Sequence, residues 1–300
     1  MAQGTKIKTG VKGLDIVLGG GLESPSNLLI YGSPMCGKRP LLMELVYNGM
    51  KQGIPALYLL TDFGYDDWKR MMEKTGESVG EYEKKGLVRV IDCYSKQFDL
   101  SLRDTEIVSY ADSSTALSSI SLKISRAVDE LCEKECPLSF RVGVHSLSTL
   151  FETLPASSVF KFLQFIIGKF RNSGATVFFV LEEGMHDEKT VTMVRHLMDG
   201  VIEFEGDKLF VLGVIGADRE MHNYRISSGG FEVFPSIDQL ANAKPGSQAP
   251  KQPAPPQAKT LESFAARHAP KPPPAKKAGK APKSQNPAKK DSKTGKRKKN

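Results

Sequence analysis

The chain has 300 residues, with 42 basic and 34 acidic side chains and a formal net charge of +8. That charge is divided: residues 241–300 hold 16 Lys and Arg against two acids, Glu262 and Asp291, leaving the first 240 residues at a net −6. No apolar run approaches the ~20 residues of a membrane-spanning helix, which excludes that class, whereas 240 residues are ample for one hydrophobic core.

The apolar run 27–31 predicts a buried strand, and 41–46 predicts a helix. Between them lie Gly32, Ser33, Pro34, Met35, Cys36, Gly37, Lys38 and Arg39. Pro40 is tolerable in a first helical turn, but it biases Arg39 away from helical angles, so a distorted loop is expected. A short strand at 56–60 and a helix at 65–74 follow, then a strand at 87–91. Residues 95–115 are polar and irregular and read as a long surface loop. Ile120, Ile124, Val128 and Leu131 recur every three or four residues, marking an amphipathic helix. A strand at 140–144, a helix at 159–170 and a strand at 176–181 complete a βαβα order, which implies a mainly parallel sheet with helices on both faces. Short runs at 200–204, 209–215, 224–227 and 230–234 read as a C-terminal antiparallel extension.

The loop carries the chemistry. The pattern G-x-x-x-x-G-K-[ST] wraps backbone N–H groups around phosphates, its lysine reaches the outer phosphates, and its hydroxyl holds Mg²⁺. Gly32, Gly37 and Lys38 fit; Arg39 stands where the hydroxyl belongs. A guanidinium has donors only and cannot ligate a metal. Two fates for Arg39 are open. It covers phosphate charge in place of Mg²⁺, or it folds back onto Glu44 or another acid and plugs the pocket. Cys36, Cys93, Cys132 and Cys136 are the cysteines. Cys132-x-x-x-Cys136 has no second Cys/His pair nearby and reads as thiols on or after a helix rather than half a metal site. Without a secretory leader, a reducing, cytoplasmic setting is expected, with nucleoid association through the tail.

Several collinear motifs over residues 5–235 resemble the single-domain KaiC-like branch of the RecA-type ATPases. Thr9-Gly10-Val11-Lys12-Gly13-Leu14-Asp15 and Leu18-Gly19-Gly20-Gly21-Leu22 resemble its lead-in to the phosphate loop. Arg141-Val142-Gly143-Val144-His145-Ser146-Leu147 resembles its Walker B strand, Met198-Asp199-Gly200-Val201-Ile202 its late A-D-G-V-I segment, and Tyr224-Arg225-Ile226 with Gly229-Gly230-Phe231-Glu232-Val233 its closing hairpin. The resemblance implies a RecA-like core and ATP or ADP as ligand. It also implies assembly into homo-oligomers, which the departures below weaken.

His145 stands where the family has the Asp that positions Mg²⁺. The paired Glu, one of which activates water, align with Asp62 and Phe63, leaving Asp62 as a candidate base. The Lys-x-Arg that reaches a neighbouring subunit falls on Gly213 and Ile215. These losses beside a kept loop imply a pseudoenzyme whose nucleotide binding is independent of Mg²⁺. The counter-reading is compensation by Asp62, Glu182 or Glu183. The simpler reading of the last two is the solvated end of the strand before them, and of His145 a hydrogen-bonded polar residue at a strand end.

Residues 241–300 hold 11 of the 18 prolines and lack a core-forming composition, so this tail reads as disordered. Its basic clusters across 270–299 predict sequence-independent nucleic-acid contact. Within it, Leu261 and Phe264 would share one face of a helical turn and resemble the sliding-clamp docking peptide, although Ala265 replaces the second aromatic.

Overall fold

A computed structural model describes residues 6–236, except 75, 77, 136–138 and 228. Leu261, Phe264, Cys136 and the basic clusters lie outside the described residues. The strands are β1 (Lys6–Ile7), β2 (Leu22–Glu23), β3 (Ser26–Gly32), β4 (Ala56–Leu60), β5 (Val88–Asp92), β6 (Val108–Tyr110), β7 (Arg141–His145), β8 (Thr176–Glu182), β9 (Gly200–Glu205), β10 (Lys208–Leu212), β11 (His222–Ser227) and β12 (Gly230–Phe234). The helices are α1 (Leu14–Val17), α2 (Lys38–Lys51), α3 (Tyr65–Lys74), α4 (Gly80–Lys84), α5 (Leu117–Glu135), α6 (Leu147–Thr153), α7 (Ala156–Asn172) and α8 (Glu188–His196).

Ten strands form one sheet in the order β12-β11-β10-β9-β3-β8-β7-β4-β5-β6. From β9 to β6 every neighbouring pair is parallel, while β10, β11 and β12 add antiparallel strands at the β9 edge. The sheet is covered on both faces, which is why its central strands read as unbroken apolar runs. Leu28 and Ile30 of β3 pack with α2 residues such as Leu42 and Val46 on one face. Leu29 and Tyr31 pack with α5 and α7 residues such as Ile124 and Leu163 on the other.

Two expectations change. Within 95–115 there is a 3-10 turn at Ser95–Gln97 and an edge strand, β6. Three residues are too few to show a period. The strand is held by backbone bonds from Val90 N to Ile107 O and from Ala111 N to Asp92 O, both 2.8 Å. The run 209–215 ends early: β10 stops at Leu212, because Gly213 turns the chain at φ 78° and Ile215 is exposed.

The lead-in motif is architectural. Both carboxylate oxygens of Asp15 are used: Oδ1 accepts from Thr9 N at 2.7 Å and Thr9 Oγ1 at 2.9 Å, and Oδ2 accepts from Gly10 N. Buried Arg141 then donates to the carbonyls of Lys8, Thr9 and Leu45, tying this segment and α2 to the sheet. Burial pulls its guanidinium down to about 10, against the pull of Asp15.

Candidate functional site

The loop joins β3 to α2 at the C-terminal end of the parallel strands. Gly32 is the last residue of β3, Gly37 caps α2, and Lys38 opens it. Gly37 has φ 108°, and a Cβ there would lie 2.6 Å from Ile226 Cδ1, so both conformation and space require glycine. Arg39 is helical, and α2 begins cleanly with Leu41 N donating to Gly37 O at 3.0 Å. The expected distortion from Pro40 is therefore absent, since first-turn N–H groups lack internal partners anyway. Ser33, Pro34, Met35 and Cys36 form the arch. Met35 stands fully exposed with φ 66°, a conformation that costs a residue with a Cβ about 1–3 kcal/mol.

The arch rests on the C-terminal hairpin. Tyr224 Oη donates to Cys36 O at 2.6 Å, and its ring stacks on Phe231 with centroids 5.2 Å apart. Phe204 meets Tyr224 edge-on at 5.0 Å. These aromatic props escape sequence reasoning, because nothing local ties residue 36 to residue 224.

The replaced positions meet one another. Register pairing of Leu60 with His145 brings the end of β4 beside the end of β7. There His145 Nδ1 and Asp62 Oδ1 lie 2.8 Å apart, and Arg39 Nε donates to His145 Nε2 at 3.2 Å. Arginine can only donate, so Nε2 accepts and the ring proton sits on Nδ1, donated to Asp62. Both ring nitrogens are engaged in this arrangement. Arg39 Nη2 also lies 3.8 Å from Asp62 Oδ2, and the guanidinium sits 4.9 Å over the Phe63 ring. Arg39 thus folds onto Asp62 and His145, not onto Glu44. The Glu44 carboxylate instead accepts from Phe231 N, and burial pushes its pKa above the ordinary carboxylate range.

Lys38 is also turned inward, 3% exposed. Nζ donates to Gly32 O at 2.7 Å and to Ser33 O, lies 3.5 Å from Cys36 Sγ, and pairs with Glu182 Oε2 at 2.9 Å. Glu182 is half-buried beside the loop rather than a solvated strand end; Glu183 is the exposed one. Burial raises the Cys36 thiol despite the nearby ammonium, so the sulfur is a neutral thiol.

Glycine backbone, a helix N-terminus and Lys38 converge on the loop, and the positions where the resemblance leads one to expect metal ligands hold a guanidinium and an imidazole whose nitrogens are both engaged. Among the described residues no cluster of three His, Cys, Asp or Glu could hold a metal, and no helix is long and apolar enough to cross a membrane. Gly213 and Ile215 follow β10, whose Leu212 pairs with Val201 at the start of β9. They sit at the end of the sheet opposite the loop.

Residues 25–204 match the family described as "Family of unknown function (DUF7504)". The chain belongs to this family. This DUF7504 member is 27% identical over 246 residues to a UPF0273 protein of Thermotoga maritima, covering 77% of this chain and 96% of that one. It is 25% identical over 241 residues to a UPF0273 protein of Pyrococcus horikoshii, covering 77% and 94%. Among solved structures, a KaiC-like protein of Pyrococcus horikoshii superposes with a TM-score of 0.63 at 19% identity, covering 78% of this chain and all of that one. The DUF7504 chain therefore has the KaiC-like, RecA-type fold that its motifs resemble.

Proposed function

We propose that the protein is a non-catalytic, RecA-like regulatory protein that takes the phosphates of ATP or ADP on Gly32–Lys38 without Mg²⁺, and that its basic tail contacts nucleic acid. One observation carries this: Arg39, His145, Asp62 and Phe63, the four residues in place of metal- and water-handling groups, form a single contact cluster. Each closes a route to turnover. Arg39 cannot coordinate a metal, His145 has no free nitrogen, Phe63 cannot accept a proton, and Asp62 is held by His145 and Arg39. What remains is anion recognition by backbone N–H groups and Lys38, with Arg39 close enough to add charge.

Titration of a fluorescent ATP analogue in Mg²⁺ and in EDTA tests this, with phosphate release followed in parallel. Weak binding that chelation leaves unchanged, with release no faster than in Lys38→Ala, is expected. Mg²⁺-stimulated release that disappears in Lys38→Ala would overturn it. The second reading, a nucleotide-free scaffold, is favoured by the Lys38–Glu182 pair and predicts no binding in either buffer.

A further inference from the structure

Lys38 is the residue on which phosphate recognition depends, and its ammonium is saturated. An ammonium has three N–H donors. Gly32 O, Ser33 O and Cys36 Sγ take them, and the Glu182 carboxylate lies 2.9 Å from the nitrogen as an ion pair. Topology places the acid there. Gly32 and Glu182 are register partners of the paired β3 and β8. The strand end is pinned on both sides: Glu183 N donates to Gly32 O at 2.8 Å, and Glu182 N donates to Ser148 Oγ at 2.9 Å. Glu182 Oε2 is buried, and Lys38 is its counter-charge at 2.9 Å. Across the loop, Arg39 has its own acid in Asp62. Both cations of the loop are therefore matched by carboxylates from neighbouring strand ends.

We propose that Glu182 is an internal anion that competes with phosphate for Lys38. At rest the loop is liganded by the protein's own carboxylate, and nucleotide enters by displacing it. This rests on the nucleotide-binding reading above and names what regulates that site. The physical reason is charge. A phosphate arriving beside Glu182 meets a negative charge before it meets the ammonium, and the low-dielectric surroundings of a buried lysine strengthen both terms. Removing the carboxylate's charge without its shape relieves the repulsion and frees the lysine together.

The test uses the full chain and Glu182→Gln in EDTA, titrated with the fluorescent ATP analogue. Glu182→Gln is expected to bind roughly tenfold more tightly, equivalent to about 1.4 kcal/mol. Inorganic pyrophosphate, as competitor, should show the same ratio, which locates the effect at the phosphates rather than the base. Glu182→Asp, which withdraws the carboxylate by one methylene, should fall between the two. Separately, thermal denaturation without nucleotide compares wild type, Lys38→Met, Glu182→Gln and the double variant. The double variant should lose less than the sum of the two single losses. Additive losses, or Glu182→Gln affinity no better than a wild type that does bind, overturn the competitor role. Non-additive losses with no nucleotide binding by either protein support the Lys38–Glu182 latch and overturn the nucleotide-binding reading instead.

Discussion

Returning a hydroxyl to position 39 should not return a metal site, because His145 would still occupy the other metal position. Arg39→Ser removes three contacts to the replaced positions, together with a weak one from Nη1 to Met71 Sδ at 3.6 Å. The ion pair to Asp62 spans 3.8 Å with side chains 45% and 29% exposed, so screening limits it to about 0.5 kcal/mol. The guanidinium over Phe63 is worth about 0.5–1 kcal/mol, and the hydrogen bond to His145 about 1 kcal/mol. The three share one group and do not add, so a loss of about 1–2 kcal/mol is expected. In a folded body of this size that lowers Tm by about 2–8 °C. Nucleotide affinity in Arg39→Ser should remain indifferent to EDTA. Arg39→Ser/His145→Asp differs, because it places a hydroxyl and a carboxylate at both metal positions and sets the new carboxylate against Asp62. That repulsion should lower Tm further in EDTA, and Mg²⁺ with ATP should recover it. Differential scanning fluorimetry across a MgCl₂ series reads both effects. Mg²⁺-dependent binding in Arg39→Ser alone would refute the reasoning, as would an unchanged Tm.

Two further outcomes are expected. Nucleic-acid binding should reside in the tail and lack sequence preference; with roughly six phosphate contacts, raising salt from 50 to 200 mM should cost about a thousandfold in affinity. Deleting 270–300 should remove most of it, and affinity flat with salt would refute this. Glu44, buried against Phe231 N with Lys51 and Asn48 nearby, has its pKa raised by burial, so its share of stability is full below the ordinary carboxylate pKa and is lost as pH rises through its own. Glu44→Gln keeps an acceptor without the charge. It should therefore raise Tm at neutral pH, with the gain vanishing below about pH 4.5; a gain that persists in acid would show that charge burial is not its source.

The strands were legible in the sequence because a parallel sheet buried on both faces writes each strand as a short apolar run. Ala56–Leu60 and Gly230–Phe234 appear at the bounds read from residues alone, as does the helix Tyr65–Lys74. The loop Gly32–Arg39 was legible as a strand-to-helix turn for a different reason: its geometry is local, fixed by Gly37, Lys38 and the strand and helix that flank them. The edge strand Val108–Tyr110 left no trace, since its identity lies in backbone bonds to β5 rather than in any pattern of its own side chains.

What the loop's side chains do was decided only in three dimensions. Sequence could name Arg39, His145, Asp62 and Phe63 as departures, but not that they touch. Their contact needs the Leu60–His145 pairing, 85 residues apart along the chain. Glu44 is five residues from Arg39 and was a natural partner on paper, yet α2 aims it at the hairpin and leaves Arg39 to Asp62. Glu182 read as a solvated strand end. The pairing of Gly32 with Glu182 puts its carboxylate on Lys38, because strand register, not sequence distance, sets which charges share a low-dielectric corner.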